Sequence, residues 1–286
     1  MDFNLSDEQR MWQNSIHAFV AKEIKPKARL VDETSSLDWD SIHKMGPVGL
    51  LGLFVPEEYG GSNIDAVSTA IAMEELGWAC GSTALTIAAH NGLGCASLAL
   101  FGSPELKARY LPPAASGKNS DGSYSRLAAL ALTEPSAGSD LKGGITTRAE
   151  LQNGQWRING TKMWCTNASA ADFIVTLVRT DPNKTSHSLS MILVPTNIEG
   201  LHVGTTEKKM GVKGSPTNEV IYQDVHVPAN HLVGILGEGL SQTLTVLDGG
   251  RISIGAISVG LAQAALEEAI QYANQRNAFE QLRSAF

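Results

Sequence analysis

The sequence predicts an α+β multidomain protein: an N-terminal helical domain, a middle antiparallel, barrel-like β-domain, and the start of a C-terminal helical bundle. Three observations carry this. Helical periodicity dominates to about Leu111, turn signals and β-branched runs fill Leu127 to Pro228, and a proline-free apolar stretch runs from Ser241 to Arg276. The expected boundaries are 1–118, 119–233 and 234–286, and a chain of 286 residues can build two or three packed subdomains.

The first helix opens on Ser6-Asp7-Glu8-Gln9, a capping-box pattern, and Met11, Ile16, Phe19, Val20 and Ile24 follow at helical spacing. Pro26 kinks or ends it, because proline has no N–H to give the ladder. Further helices are predicted at Trp39–Met45, Ala66–Leu76, Thr83–Leu100 and Pro104–Tyr110, with Val55–Gly61 a turn-rich connection. In the middle region, Asn153-Gly154 and Asn159-Gly160 are tight-turn signals around the alternating Gln155–Ile158. Asp172–Arg179, Ser188–Pro195 and Glu219–Val227 read as strands, and Asn119–Ser125 as an exposed loop before the first one. The last region holds one long helix, apolar on most faces through Ile270. A single helix cannot bury such a surface, so it calls for partners in the first region, another chain, or sequence beyond Phe286.

The formal charge of −7 argues against a nucleic-acid partner, which requires a basic face. Uninterrupted apolar runs fall short of the ~18 residues a membrane helix needs. The longest, near Ala84–Leu100, is broken by His90, Asn91, Gly92 and Gly94 and reads as a buried helix, so no membrane partner is expected. Cys80, Cys95 and Cys165 have no CxxC spacing, which fits a reducing compartment without a disulfide framework or zinc site. No basic n-region precedes an apolar h-region after Met1. The cytoplasm is therefore the expected location, or the mitochondrial matrix where a presequence has been removed.

Two stretches carry candidate chemistry. Leu132-Thr133-Glu134-Pro135-Ser136-Ala137-Gly138-Ser139-Asp140 reads as a strand entering a turn of small residues. Gly138 lets a planar or phosphorylated ligand approach the backbone, Thr133 and Ser139 add hydroxyls, and successive N–H groups can nest an anion. An ordinary strand-end turn is the competing reading. In Met163-Trp164-Cys165-Thr166-Asn167, Trp164 can stack on a ring and Thr166 can donate a hydrogen bond. The ordinary place for a lone tryptophan is the core.

Together these stretches resemble the acyl-CoA dehydrogenase family, and the resemblance runs along essentially the whole chain. Gly52–Gly61, Ala72–Gly77, Lys209–Ser215, Gln223–Pro228, Leu247–Arg251 and Gly260–Leu266 follow the family's motifs in order. The resemblance implies an FAD enzyme that oxidises acyl-CoA to trans-2-enoyl-CoA and passes electrons to an electron-transfer flavoprotein, usually as a homo-oligomer, dimer or tetramer. It implies that Leu130, Leu132 and Thr133 line the isoalloxazine, with Gly138 and Ser139 nearer the pyrophosphate and Ser139 also beside the pantetheine arm. Trp164 would flank the ring, and Thr166 would bond near N5, the hydride acceptor. Asp248 and Arg251 would meet CoA, although without the family pattern they read as a helix-surface ion pair. Arg276 would contact the FAD pyrophosphate, often of a neighbouring subunit. It lies about 37 Å along a continuous helix from Arg251, too far to serve the same small site.

The implied reaction needs a desolvated carboxylate to take the α-proton and hydrogen bonds to the thioester oxygen. The family's usual glutamate lies late in the bundle, beyond Phe286, and the alternative position before the Asp-x-x-Arg arginine is Gly250. No catalytic residue is therefore assigned, and the 286-residue chain is expected to be C-terminally truncated and inactive by itself. Near the end, Arg276 and Phe279 keep the family pattern, whereas Glu280 replaces a glycine. Two rival readings are a same-fold acyl-CoA oxidase or flavin monooxygenase, and a non-catalytic acyl-CoA- or flavin-binding or assembly protein.

Overall fold

The computed structural model describes residues 4–183, 185, 187–278 and 281–282. Helices come first: α1 (Asp7–Glu23), α2 (Ala28–Thr34), α3 (Trp39–Met45), α4 (Ala66–Ala79), α5 (Gly81–Ala89), α6 (Ala96–Phe101) and α7 (Pro104–Ser116). The middle region contains β1 (Leu127–Ala131), the short α8 (Leu141–Gly144), β2 (Arg148–Gln152), β3 (Gln155–Thr166), β4 (Ala171–Arg179), β5 (Leu189–Pro195), β6 (Leu201–Thr206), β7 (Thr217–Pro228) and β8 (Leu232–Val233). It is followed by α9 (Gly239–Gln275) and by the short pair β9 (Asn277–Ala278) and β10 (Gln281–Leu282). Phe279, Glu280 and Arg283–Phe286 lie outside the described residues, and with them the departures noted at the chain's end.

Helix α1 starts as its sequence dictates, with Ser6 and Gln9 completing a reciprocal capping box. Ile16 and Val20 face the core, whereas Met11 is exposed. Pro26 does not stop the chain's helical course; it falls in a 3₁₀ turn, Lys25–Lys27, that leads into α2. Helix α7 runs past the expected end at Tyr110, through Pro112 and Pro113, to a left-handed Gly117 cap. Having no N–H, Pro112 and Pro113 leave the Ala108 and Arg109 carbonyls without their helical donors, but both lie in the helix's second half, close to its end at Ser116.

The expected helix Thr83–Leu100 is three pieces. Between α5 and α6 lies a π-helical segment, His90–Cys95. A π-bulge widens the turn and redirects side chains. Here it brings the backbone against β1, so a Cβ on Gly94 would lie 2.7 Å from the Ala128 carbonyl carbon. The Ala128 N–H donates to His90 Nδ1 at 2.9 Å, which leaves the hydrogen on Nε2, 3.1 Å from the Leu51 carbonyl. Asn91 accepts from the Leu53 N–H and donates to the Leu50 and Ile87 carbonyls. Of the polar residues that break the apolar run, His90 ties the helix to β1 and Asn91 ties it to the Leu50–Leu53 segment.

The sheet runs β6-β7-β3-β2-β4-β5-β8, with β1 also on β4. It is mixed, not antiparallel throughout: β1 pairs with β4 in parallel, and β2 meets β4 in parallel at Arg148–Arg179. The β2–β3 hairpin separates β1 from β4 in sequence, so no tight turn constrains their direction. Asn153 and Gly154, both at positive φ, make that hairpin turn. Asn159-Gly160 makes no turn; it is a bulge inside β3, where Asn159 exchanges hydrogen bonds with Asp224 on β7. The Gly160 φ of +150° and a Thr147 side chain 2.4 Å from its would-be Cβ explain the glycine.

Helix α9 crosses α4 at two glycines. A Cβ on Gly260 would lie 1.9 Å from the Glu74 carbonyl oxygen, and one on Gly77 would lie 2.5 Å from that of Ile257. Beyond this crossing Leu261, Leu266, Ile270 and Tyr272 are exposed. Two helical stretches have the length and mean hydropathy of a membrane span, contrary to the reading from uninterrupted runs. Gly81–Phe101 is 72% buried within the protein over its most apolar window, and Gly239–Gln275 is 28% buried. Mean hydropathy tolerates His90 and Asn91, whose polar groups are satisfied inside the protein.

Candidate functional site

The two sequence motifs lie side by side. The Met163 N–H donates to the Thr133 carbonyl at 2.8 Å, and Cys165 Sγ is 3.5 Å from the Leu130 carbonyl. Parallel pairing of β1 with β4 sets the exit of β1, and a register shift between Lys162 and Cys165 bends β3 beside it. Leu130 is buried at the strand's end, while Leu132 and Thr133 are half-buried as the chain leaves the sheet. Glu134 and Ala137 then exchange backbone hydrogen bonds and close a tight turn. Gly138 and Ser139 follow, both exposed, with open space where a Gly138 Cβ would project. Asp140 caps the short helix after it by accepting from the Gly143 N–H at 2.9 Å.

Trp164 is not a core residue. Its φ is +53° and it is 60% exposed, so the β3 bulge holds a bulky side chain in the left-handed region and presents it to solvent. Such a conformation costs on the order of 1–3 kcal/mol and persists only where the surroundings impose it. Thr166, half-buried, has a hydroxyl with no partner among the described residues. It lines an apolar cavity of about 350 Å³ with Leu85, Ala88 and Ala89 of α5, Leu93, and Leu247, Gly250, Arg251 and Ile254 of α9. No lining residue carries a carboxylate.

Arg251 Nη1 lies 3.2 Å from Asp248 Oδ1, an exposed pair at the rim. Such a pair contributes little to stability and leaves both side chains free to exchange partners. The structure sets the Leu130–Thr133 and Met163–Thr166 backbones side by side as a ledge, with Trp164 exposed on it and Gly138 and Ser139 exposed past the Glu134–Ala137 turn. Arg251 lines the same cavity as Thr166, and Asp248 is held beside it by their ion pair. Arg276, exposed at the far end of α9, does not join them.

Two contributors were missed by sequence reading. Asn167 is buried at φ +68°; its N–H donates to the Pro216 carbonyl, and its amide donates to the Thr86 carbonyl at 2.9 Å, fastening Thr166 to α5. The signal was an asparagine, a residue that tolerates the left-handed region, directly after a strand. The other is a buried ion pair, Lys162 Nζ–Glu134 Oε1 at 2.7 Å, with side-chain exposures of 0% and 1%. Burial pushes the Glu134 carboxyl up, but the Lys162 charge and the Thr146 and Thr147 donors outweigh it and hold it at about 2. Burial pulls Lys162 down to about 8 against the opposing attraction of Glu134. An acid inside the turn motif and a lysine in the adjacent strand were its legible traces.

Comparison with known proteins agrees along the chain. Family models described as acyl-CoA dehydrogenase N-terminal, middle and C-terminal domains match residues 6–118, 129–225 and 237–286. A probable acyl-CoA dehydrogenase of Bacillus subtilis, YngJ, is 45% identical over 100% of this chain and 73% of its own length. The butyryl-CoA dehydrogenase structure from Megasphaera elsdenii superposes with a TM-score of 0.92 at 33% identity, over 100% of this chain and 74% of that one. An acyl-CoA dehydrogenase from Bacillus anthracis complexed with FAD gives 0.88 at 36% identity, over 99% of this chain and 48% of that one. With matches covering most of its length and a relative this similar, the chain belongs to the acyl-CoA dehydrogenase family of oxidoreductases acting on CH–CH bonds.

Proposed function

We propose that this chain forms the FAD- and thioester-binding faces of an enzyme that converts acyl-CoA to trans-2-enoyl-CoA, with electrons passing to an electron-transfer flavoprotein. The observation that carries this reading is the ledge formed by both motifs, which opens through Thr166 onto an apolar cavity. FAD fits the residues present. The Trp164 indole is exposed for stacking, the backbone at Gly138 is uncovered, and the Thr133 N–H and Thr166 hydroxyl have no partners among the described residues. Bound there, FAD would supply the two-electron acceptor.

In this reading Leu130, Leu132 and Trp164 flank the ring, Thr133 and Thr166 donate to its polar edge, and Gly138 and Ser139 admit the pyrophosphate. Arg276 would serve a pyrophosphate beyond this site. The side chains of Leu85, Leu93, Leu247 and Ile254 exclude water from the acyl chain, so hydrogen bonds to the thioester oxygen act in a low-dielectric setting. Arg251 and Asp248 meet the CoA portion at the rim, and Ser139 the pantetheine arm. The α-proton requires a carboxylate, and neither the cavity lining nor Gly250 supplies one, so no described residue is assigned as base.

The test is anaerobic. FAD is titrated into the chain, acyl-CoAs of increasing length are added, and flavin absorbance is followed. Saturable FAD binding with an acyl-CoA-induced change in the flavin spectrum supports the reading; absence of FAD binding rejects it. Rapid reoxidation of reduced flavin by oxygen would move the assignment to an oxidase or monooxygenase on the same fold.

A further inference from the structure

Lys162 and Glu134 meet at the root of the Leu132–Ser139 turn. Lys162 Nζ donates to the Leu132 carbonyl at 2.9 Å as well as to Glu134 Oε1. Glu134 also accepts from the Thr146 N–H at 2.7 Å, the Thr146 hydroxyl at 2.5 Å and the Thr147 N–H at 3.0 Å. The carboxylate is thus locked to the segment before β2, and the ammonium is locked to the carboxylate. Apolar side chains of similar volume pack such a position as well as an ion pair does, so a packing role alone does not account for charge here.

The pair sets a peptide plane. In a trans peptide the carbonyl of one residue and the N–H of the next point in opposite directions. The ammonium draws the Leu132 carbonyl inward, which turns the Thr133 N–H outward, and that N–H has no partner among the described residues. The next carbonyl, that of Thr133, is held by the Met163 N–H. We infer that Lys162, anchored by Glu134, is a positioning residue whose charge fixes the Leu132–Thr133 peptide and so presents the Thr133 N–H as a pre-oriented donor to the flavin. This rests on the proposed function for its ligand, but the peptide orientation belongs to the chain without FAD.

The titratable groups that face Lys162 are Glu134 in the turn and the Cys165 thiol on its own strand, the latter pushed up to about 12 by burial. Glu134 is ionised and Cys165 is neutral across the neutral and mildly alkaline range. A change of charge there belongs to Lys162.

Two measurements on the full chain test this. In the first, FAD is titrated at several pH values, from about 6 to about 9.5, into the wild type, Lys162→Met, Lys162→Arg and Glu134→Gln, each well below its melting temperature. Because the charged form is the one that positions the donor, wild-type affinity should fall by about tenfold as pH rises through Lys162's titration. Lys162→Met should bind about tenfold more weakly at neutral pH with no step, and Lys162→Arg, which stays charged, should restore binding without a step. Glu134→Gln should shift the step to lower pH. Equal Kd for wild type and Lys162→Met at neutral pH overturns the inference.

The second measurement is amide hydrogen exchange without FAD. Protection at Met163 and Thr147 should drop at least about tenfold in Lys162→Met while Val175 in β4 keeps its protection; equal protection at Met163 overturns the inference. If the wild type fails to bind FAD, the proposed function fails and this second result decides the role of Lys162.

Discussion

Trp164 shows how a single residue can carry information that its type does not. As a lone tryptophan in a strand it reads as core, yet the bulge between Lys162 and Cys165 gives it a positive φ and sends it to solvent. Trp164→Asn should therefore raise stability by about 1 kcal/mol, since asparagine tolerates that conformation, while weakening FAD binding. Urea unfolding and flavin titration on the same variant separate the two effects. Trp164→Ala and Thr166→Val should each change flavin affinity or its absorption spectrum; unchanged values in both would displace the ring from this ledge. His90 makes a second residue-scale case. Burial holds it at about 4, against an ordinary value near 6.5, so the folded protein keeps it neutral. Between those values the unfolded chain takes up a proton that the folded chain does not, and stability is lost as pH falls. The loss from this group should reach about 2 kcal/mol by about pH 5. The difference in urea-derived stability between about pH 7 and 5 should shrink in His90→Gln, whose amide can still reach the Leu51 carbonyl; an unchanged difference would remove His90 as the cause.

At the scale of elements, the site depends on two close approaches. The π-helical segment His90–Cys95 lies on β1, and α9 lies on α4, and in both places a glycine lets the backbones meet. Gly260→Ala would place a methyl carbon 1.9 Å from the Glu74 carbonyl, forcing α9 away from α4. Denaturant unfolding should register a loss of about 1–3 kcal/mol or more. Gly255 faces open space on the same helix. Gly255→Ala should instead stabilise it by about 0.5–1 kcal/mol. If both substitutions shift stability alike, the α4–α9 contact is not the cause. Because Leu247, Gly250, Arg251 and Ile254 form one wall of the cavity, Gly260→Ala should also weaken acyl-CoA binding from a distance.

For the whole molecule, the exposed apolar side of α9 is the dominant feature. Leu261, Leu266, Ile270 and Tyr272 extend past the α4 crossing, and an apolar face of that length favours association. Sedimentation at micromolar concentration should show dimers or larger species; a clean monomer would mean that this face stays solvated. The same scale governs activity. With no carboxylate on the cavity wall, the chain by itself should not bleach flavin with acyl-CoA at a useful rate, since general-base catalysis alone is worth about 10²–10⁴-fold. Rapid bleaching with stoichiometric enoyl-CoA would reveal a base among the residues present.

Periodicity and turn chemistry determined most of the elements, because local sterics decide them. The capping box at Ser6, the Asn153-Gly154 turn and helix α3 stand where the sequence puts them. The stretches at Leu132–Asp140 and Met163–Asn167 stood out in the sequence as candidates, but their residue types alone left an ordinary strand-end turn and a core tryptophan open, since glycine and hydroxyl residues also serve plain turns. Tertiary structure decided the contacts by which the two motifs adjoin, because the Met163 N–H to Thr133 carbonyl and Cys165 to Leu130 carbonyl bonds link residues far apart in sequence. It also decided that Asn159-Gly160 is a bulge and not a turn, since the choice depends on Asp224 across the sheet. The Lys162–Glu134 pair belongs there too. Neither residue records in sequence that the other will neutralise it, and a buried charge is tolerable only once the fold has brought its partner to 2.7 Å.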